Sequence, residues 1–171
     1  MSLNIRVLKD FNAFLDGENY AGKCKTVQPP KLANILEDFR GGGMLGNDKV
    51  RMGYESLEAE ITMGSWEPSV LKKVAHMAGS SLLVFRGAIV NERANTTEAC
   101  VITMEGFISE GDLGSFESGK LGELKFPFKC HSYKLEVGGE VLYDIDIQAG
   151  RAVIGGVDQY EAIASALQLS I

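Results

Sequence analysis

The pattern nearest to recognisable chemistry is Gly41-Gly42-Gly43-Met44-Leu45-Gly46, which satisfies the GxGxxG of a dinucleotide site. That pattern works only when a parallel strand leads into it and a helix N-terminus follows to face the pyrophosphate. Asn47 to Tyr54 carries no helical apolar stripe, and no GK[ST] occurs, so neither a dinucleotide cradle nor a P-loop is read. The carboxylate pairs Glu58/Glu60 and Asp144/Asp146 are spaced two apart, which puts each pair on one face of a strand. Such pairs suit acid–base work, and they equally suit a solvated polar face. His76 and His131, the two histidines of the chain, fall on a predicted helix surface and at a predicted bulge, without ligand or triad partners nearby. Cys24, Cys100 and Cys130 are odd in number and far apart, which excludes a complete disulfide framework and CxxC spacing and leaves buried free thiols. The expectation is no catalytic residue, no cofactor and no metal.

The elements that would position these groups are mainly strands. Phe11, Ala13 and Leu15 alternate with Asn12, Phe14 and Asp16, and Asp16-Gly17 supplies a hairpin turn, so a strand through Ala21 to Gln28 is expected to return beside the first. Pro29-Pro30 breaks the ladder, and Lys31 to Arg40 reads as a further strand. Leu57, Ala59, Ile61 and Met63 alternate with Glu58, Glu60 and Thr62. After Pro68, the residues Val70, Leu71, Val74, Ala75 and Ala78 form an apolar stripe ending at Gly79, which predicts one flanking helix. Leu82 to Asn91 and Thr97 to Ser109 read as two long strands. Phe126, Phe128 and Cys130 have one parity and Tyr133, Leu135 and Val137 the other, so a bulge is placed near His131-Ser132. Matching Val137 with Val141 gives a three-residue turn, Gly138-Gly139-Glu140, and sets Lys134 opposite Asp144. Asp158 and Glu161 have capping-box spacing, opening a short helix over about 158–168.

Composition bounds the rest. A chain of 171 residues fits one domain, 1–171, and 45% apolar with 23% charged residues is ordinary for a globular protein. No apolar run approaches the length that spans a bilayer, and Met1 to Arg6 lacks the pattern of a secretion signal, so synthesis in the cytoplasm is expected. A formal net charge of −6 argues against a surface built to grip nucleic acid.

Phe14 before Asp16-Gly17, Gly22, Pro30-Lys31-Leu32, Glu37, Arg40 with Gly42-Gly43-Met44, Tyr133-Lys134-Leu135, Ile145-Asp146 and Gly156-Val157-Asp158 occur together and in this order. In these features the chain resembles the major tail tube proteins of contractile-tailed bacteriophages, the family that also supplies R-type tailocin tubes. The resemblance runs from about Phe11 to Leu167 and is most specific from Pro30 to Met44. It implies two packed antiparallel sheets, a split barrel or sandwich with one flanking helix, and six subunits closing a ring with a β-barrel lumen. Rings then stack into the tube that a contracting sheath drives through the host envelope, and in a complete phage the tube conducts DNA. The implied partners are further copies of the chain and the sheath, tape measure and baseplate proteins. The implied location is the virion tail, assembled in the bacterial cytoplasm.

It further implies that a long loop at about 41–54 reaches a neighbouring subunit or ring. Gly41, Gly42 and Gly43 would be its hinge, Arg40 its anchor by charge and Met44 its anchor by packing. Under ring closure, Glu58, Glu60, Asp144 and Asp146 would repeat as rings of negative charge that repel a passing phosphate backbone. Two other readings stay open: the tube of a genome-free machine, such as a tailocin or type VI secretion tube, and a small β-barrel binding or enzymatic domain. Ser118-Gly119-Lys120-Leu121-Gly122 matches no family role.

Overall fold

The computed structural model describes residues 4–169, and the ends 1–3 and 170–171 of the expected 1–171 domain lie outside the described residues. Strand β1 (Arg6–Leu15) turns through Asp16 and Gly17 into β2 (Glu18–Asn19). Both turn residues have positive φ, 50° and 85°, the geometry in which a two-residue hairpin matches strand twist. Asp16 then clamps the turn to the next layer. Its carboxylate accepts the Leu82 N–H at 2.6 Å and pairs with Lys73. Burial alone would raise the Asp16 pKa, but the Lys73 ammonium and the Leu82 and Ser81 donors outweigh it and hold the carboxyl below its usual 3.8.

The strand expected to return beside β1 does not do so. Tyr20 is buried, with its hydroxyl on Glu18 Oε2 at 2.7 Å and Ser69 Oγ at 2.9 Å, and the chain turns at once through Gly22. Strand β3 (Cys24–Gln28) therefore pairs with β6 (Leu57–Met63). Between them, β4 (Asn34–Phe39) and β5 (Asp48–Tyr54) pair only with each other, as a two-stranded sheet.

The remaining strands are β7 (Ser81–Asn91), β8 (Thr96–Ile108), β9 (Leu124–Val137), β10 (Glu140–Asp146), β11 (Arg151–Ile154) and β12 (Val157–Asp158). The two packed sheets expected from the resemblance are replaced by one ten-stranded antiparallel sheet and the small β4–β5 pair. The reason is β9. One edge of β9 pairs with β8, and the other takes β6 along Leu124–Cys130 and then β10 along Ser132–Val137, so the ladder never breaks. His131 falls at the junction without a partner, because Gly106 faces Cys130 and Glu105 faces Ser132. This is the expected bulge. It restores parity, so Phe126, Phe128 and Tyr133 all reach the core. Gly106 is fixed by it: a Cβ there would lie 1.8 Å from the Lys129 carbonyl oxygen.

One buried cluster draws on Leu15, Leu57, Phe85, Ile102, Phe128 and Ile145, from six strands of that sheet. A sheet whose single face feeds one cluster must curl around it. The flanking helix is shorter than its stripe: α1 spans only Pro68–Leu71. Ala75 takes φ 52° and donates to the Ile108 carbonyl at 3.1 Å, ending helical geometry while Val70, Leu71 and Val74 still pack inward.

The turn after β9 is also corrected. Gly138 and Gly139, φ 60° and 85°, form a two-residue turn with Val137 opposite Glu140, and a bulge between Val141 and Tyr143 brings Lys134 opposite Asp144. The expected pair is right and the turn is not. No capping box opens α2 (Glu161–Ala166), which lies within the expected 158–168. Asp158 instead accepts from the backbone N–H of Tyr160 at 2.9 Å and of Ala152 at 3.3 Å, tying the helix to β11.

Candidate assembly surface

Strand of the β4–β5 hairpin occupies half of the segment expected to be a loop at 41–54. Asp48–Tyr54 is strand, and only the tip around Gly41 to Asn47 is irregular. Every residue of β4 is exposed. Ile35 and Leu36 are sequence neighbours on opposite faces of the ribbon, and at 44% and 50% exposure neither face is covered. Phe39 at 57% and Met52 at 57% extend this apolar surface. A lone two-stranded ribbon is marginal in water, so its apolar surface needs a partner.

The tip is a formed turn. Met44 N–H donates to the Gly41 carbonyl at 3.3 Å, while the Gly41 N–H meets the Met44 sulfur at 3.0 Å. Of the three glycines, only Gly43 has positive φ, 86°. Met44 is half-buried and turned back on its own hairpin, whereas Leu45 stands fully exposed at 105%. Leu45 is thus the outward apolar residue that sequence reasoning missed; its only signal was an apolar side chain inside a glycine-rich tip. Arg40 has no carboxylate within salt-bridge distance among the described residues, although Lys49 and Asp38 pair at 2.6 Å across the same hairpin.

The four acidic residues lie on the face of the large sheet that points away from the core, because Leu57, Ala59, Ile61 and Ile145 take the buried side of β6 and β10. Their charges are unequal. Glu58 pairs with Lys129 at 2.6 Å and Asp144 with Arg151 at 2.9 Å, while Glu60 and Asp146 form no ion pair among the described residues. The hydrogen bond from Lys129 and its charge hold the Glu58 pKa below its ordinary value.

Other reactive side chains lie elsewhere. His76 and His131 share one cleft of about 500 Å³ that no carboxylate or thiol lines. Since a carbonyl only accepts, His76 donates Nδ1–H to Ala78 at 2.9 Å, and the His131 ring tilts against Phe107 at 5.6 Å. Cys24, Cys100 and Cys130 are free thiols, Cys24 half-buried and the others buried. Burial pushes the Cys24 thiol up to about 11 and the Cys130 thiol up to about 12. A groove of about 1250 Å³ runs between the base of the hairpin and the C-terminal segment, past Met52, Tyr54, Ile147, Tyr160 and Ile163. No histidine, cysteine or serine lines it.

At the far end of β6 an aromatic pair stands in the open. Trp66, 52% exposed, stacks on Phe116, 74% exposed, with ring centroids 5.6 Å apart. Sequence reasoning passed over it, because the two residues are fifty positions apart and neither sits in a periodic strand.

A family model described as phage tail tube protein FII matches residues 5–167. The chain belongs to that family. It is similar to the tail tube protein of Escherichia phage P2, 33% identical over 160 residues that cover 91% of this chain and 93% of the relative. It is also similar to the major tail tube protein of Serratia phage KSP20, 30% identical over 142 residues and covering 82% of each. Solved structures share the fold at low identity. A chain from the sheath/tube terminator of the PVC extracellular contractile injection system aligns with a TM-score of 0.56 at 10% identity, covering 75% of this chain and 94% of that one. One from the extended PVC sheath–tube complex aligns with a TM-score of 0.53 at 10% identity, covering 74% and 87%. The role of this phage tail tube family member is structural: it builds the tube of a contractile tail and is a component of the virion. No described helix is long and apolar enough to cross a membrane.

Proposed function

We propose that six copies of the chain close into a ring, that rings stack into the inner tube of a contractile phage tail, and that this tube conducts DNA. The observation that carries stacking is the β4–β5 hairpin, which pairs with no other strand among the described residues and leaves Ile35, Leu36, Phe39 and Met52 about half exposed. Arg40 to Met44 serve as its tip. Gly43 is the glycine that the turn geometry requires, and Arg40 is free to meet a neighbour's carboxylate. The sheet face bearing Glu58, Glu60, Asp144 and Asp146 lines the lumen, where Glu60 and Asp146 supply the unneutralised charge that keeps a phosphate backbone from sticking. Sheath, tape measure and baseplate proteins are the outer and terminal partners. No bond is made or broken by this chain.

Negative-stain microscopy of the purified protein should show rings with a central hole, or tubes, and Phe39→Ser should leave folded protein that forms no tubes. Persistently monomeric wild-type protein would remove the reading. The tube of a genome-free machine is the second reading, favoured by the fold shared with the PVC chains. Replication and capsid genes beside this gene would decide against it.

A further inference from the structure

A head-to-tail stack needs two different surfaces on each subunit, one at each end, that fit each other across copies. The hairpin is one. It joins the body where β5 leads through Glu55 and Ser56 into Leu57, at the N-terminal end of β6. The Trp66–Phe116 pair lies at the opposite end, because Trp66 follows Met63 and the segment carrying Phe116 re-enters the sheet at Leu124, the residue paired with Met63. Seven residues of strand, roughly 20 Å, separate the two poles.

We infer that the Trp66–Phe116 surface is the seat for the hairpin tip of the next copy. This rests on the reading of the hairpin as an assembly arm and names what it grips. The pair has the anatomy of an interface hot spot. Two large aromatic rings are stacked in advance, and the ion pairs Lys23–Glu67, Lys25–Glu123 and Lys120–Glu117 stand beside them. Charge complements the tip through Glu110 and Asp112, which form no ion pair among the described residues, since Glu117 and Glu123 are already paired with Lys120 and Lys25. Residues 109–123 hold Glu110, Asp112, Glu117 and Glu123 against the single cation Lys120, while Arg40 at the tip lacks an ion-pair partner among the described residues. The apolar parts match as well: Leu45 and Phe39 are exposed at one pole, and Trp66 and Phe116 at the other. Ser118 to Gly122, which matched no family role, then belongs to the rim of this seat.

Trp66 is the only tryptophan, so it reports on the seat directly. Its emission should shift to the blue as full-length protein assembles into tubes. Phe116→Ala, a change at an exposed ring, should raise the protein concentration needed for tubes by about tenfold or more without altering the monomer's denaturation curve. Contact is tested by mixing Gly46→Cys and Glu117→Cys proteins, both surface changes, and oxidising after assembly; a Cβ at Gly46 meets nothing within 4 Å. A cross-linked dimer that neither variant forms alone supports the seat. Tubes whose Trp66 emission stays that of the monomer would overturn it, as would tubes that yield no mixed dimer. Should Phe39→Ser still abolish tubes in that case, the hairpin remains an assembly arm and only its seat is wrong. Normal tubes from Phe39→Ser would overturn both.

Discussion

The curled sheet and the β4–β5 hairpin are built from the same strand chemistry and have opposite fates. In the sheet, each apolar position on the inner face meets others: Phe126 and Phe128 are 1% and 0% exposed. In the hairpin, Ile35, Leu36 and Phe39 stay 44%, 50% and 57% exposed. The sheet buries its inner face within one chain, whereas the hairpin leaves its apolar side chains half exposed. Burial of apolar side chains is what stabilises strands of this length, and in the proposed tube another copy supplies it to the hairpin. The comparison separates folding from assembly, and substitutions in each region should read out differently.

The largest effect belongs to the core. Phe128→Ala should destabilise the monomer by about 3–5 kcal/mol, the usual result of emptying a fully buried aromatic site, whereas Phe39→Ala should stay within about 0.5 kcal/mol. Urea denaturation of unassembled protein measures both. Equal losses at the two positions would mean that the hairpin packs within its own chain, and the comparison would collapse.

Next comes the hairpin tip. Gly43→Val forces a β-branched residue to φ 86°, while a Cβ at Gly42 meets open space at ordinary φ. Gly43→Val should therefore shorten tubes or raise the concentration needed to form them by roughly tenfold, and Gly42→Ala should do neither. Electron microscopy of tube lengths separates them, and equal behaviour would show that the turn conformation is irrelevant to stacking.

What the sequence revealed follows the same division. Period-two alternation in Leu57 to Met63 and the parity change across His131 were legible because each is a one-dimensional imprint of one buried face. The partner of β3 was not: whether the residues after Gly22 pair with β1 or β6 depends on Tyr20 being drawn under Ser69, a contact forty-nine positions away. The helix after Pro68 was overread because the first part of its stripe, Val70, Leu71 and Val74, does pack on the core, whereas Ala75 takes positive φ and Ala75 and Ala78 are exposed. Val137 opposite Glu140 looked wrong by polarity, and a bulge at Leu142 repaired the register two residues later. At the hairpin, glycine content marked where the tip turns, yet it did not show that Met44 folds back and Leu45 projects.

Smaller effects sharpen the body itself. Asp16 holds the first turn to β7, and its folded pKa lies below 3.8. A carboxylate with a depressed folded pKa contributes stability that is fully present above its unfolded value and disappears as pH falls through the folded one. Wild-type protein should thus lose part of its stability below about pH 3.8, and Asp16→Asn should lose that part at all pH values and flatten the acid limb. An unchanged acid limb in thermal melts would remove Asp16 as the clamp.

The smallest effect on the fold, and the finest test of the sheet's outer face, comes from charge. Asp146→Lys loses the hydrogen bond that its carboxylate accepts from the Ala149 N–H at 2.9 Å and should cost up to about 1 kcal/mol, whereas Glu60→Lys removes a carboxylate that holds no ion pair among the described residues and should change monomer stability by less than about 0.5 kcal/mol. Glu58→Lys should cost slightly more than Glu60→Lys, because it leaves Lys129 beside a like charge in place of its 2.6 Å partner. In a phage carrying these variants all three should act alike, because each adds two units of positive charge to this face. On the proposed lumen face the unpaired carboxylates are the free negative charge, so Glu60→Lys and Asp146→Lys should slow genome delivery while tube assembly stays intact. Glu58→Lys should slow it too, since it replaces a neutral pair with two cations on the same face. Unaltered infectivity from all three, with normal tubes, would place this face on the outside of the tube.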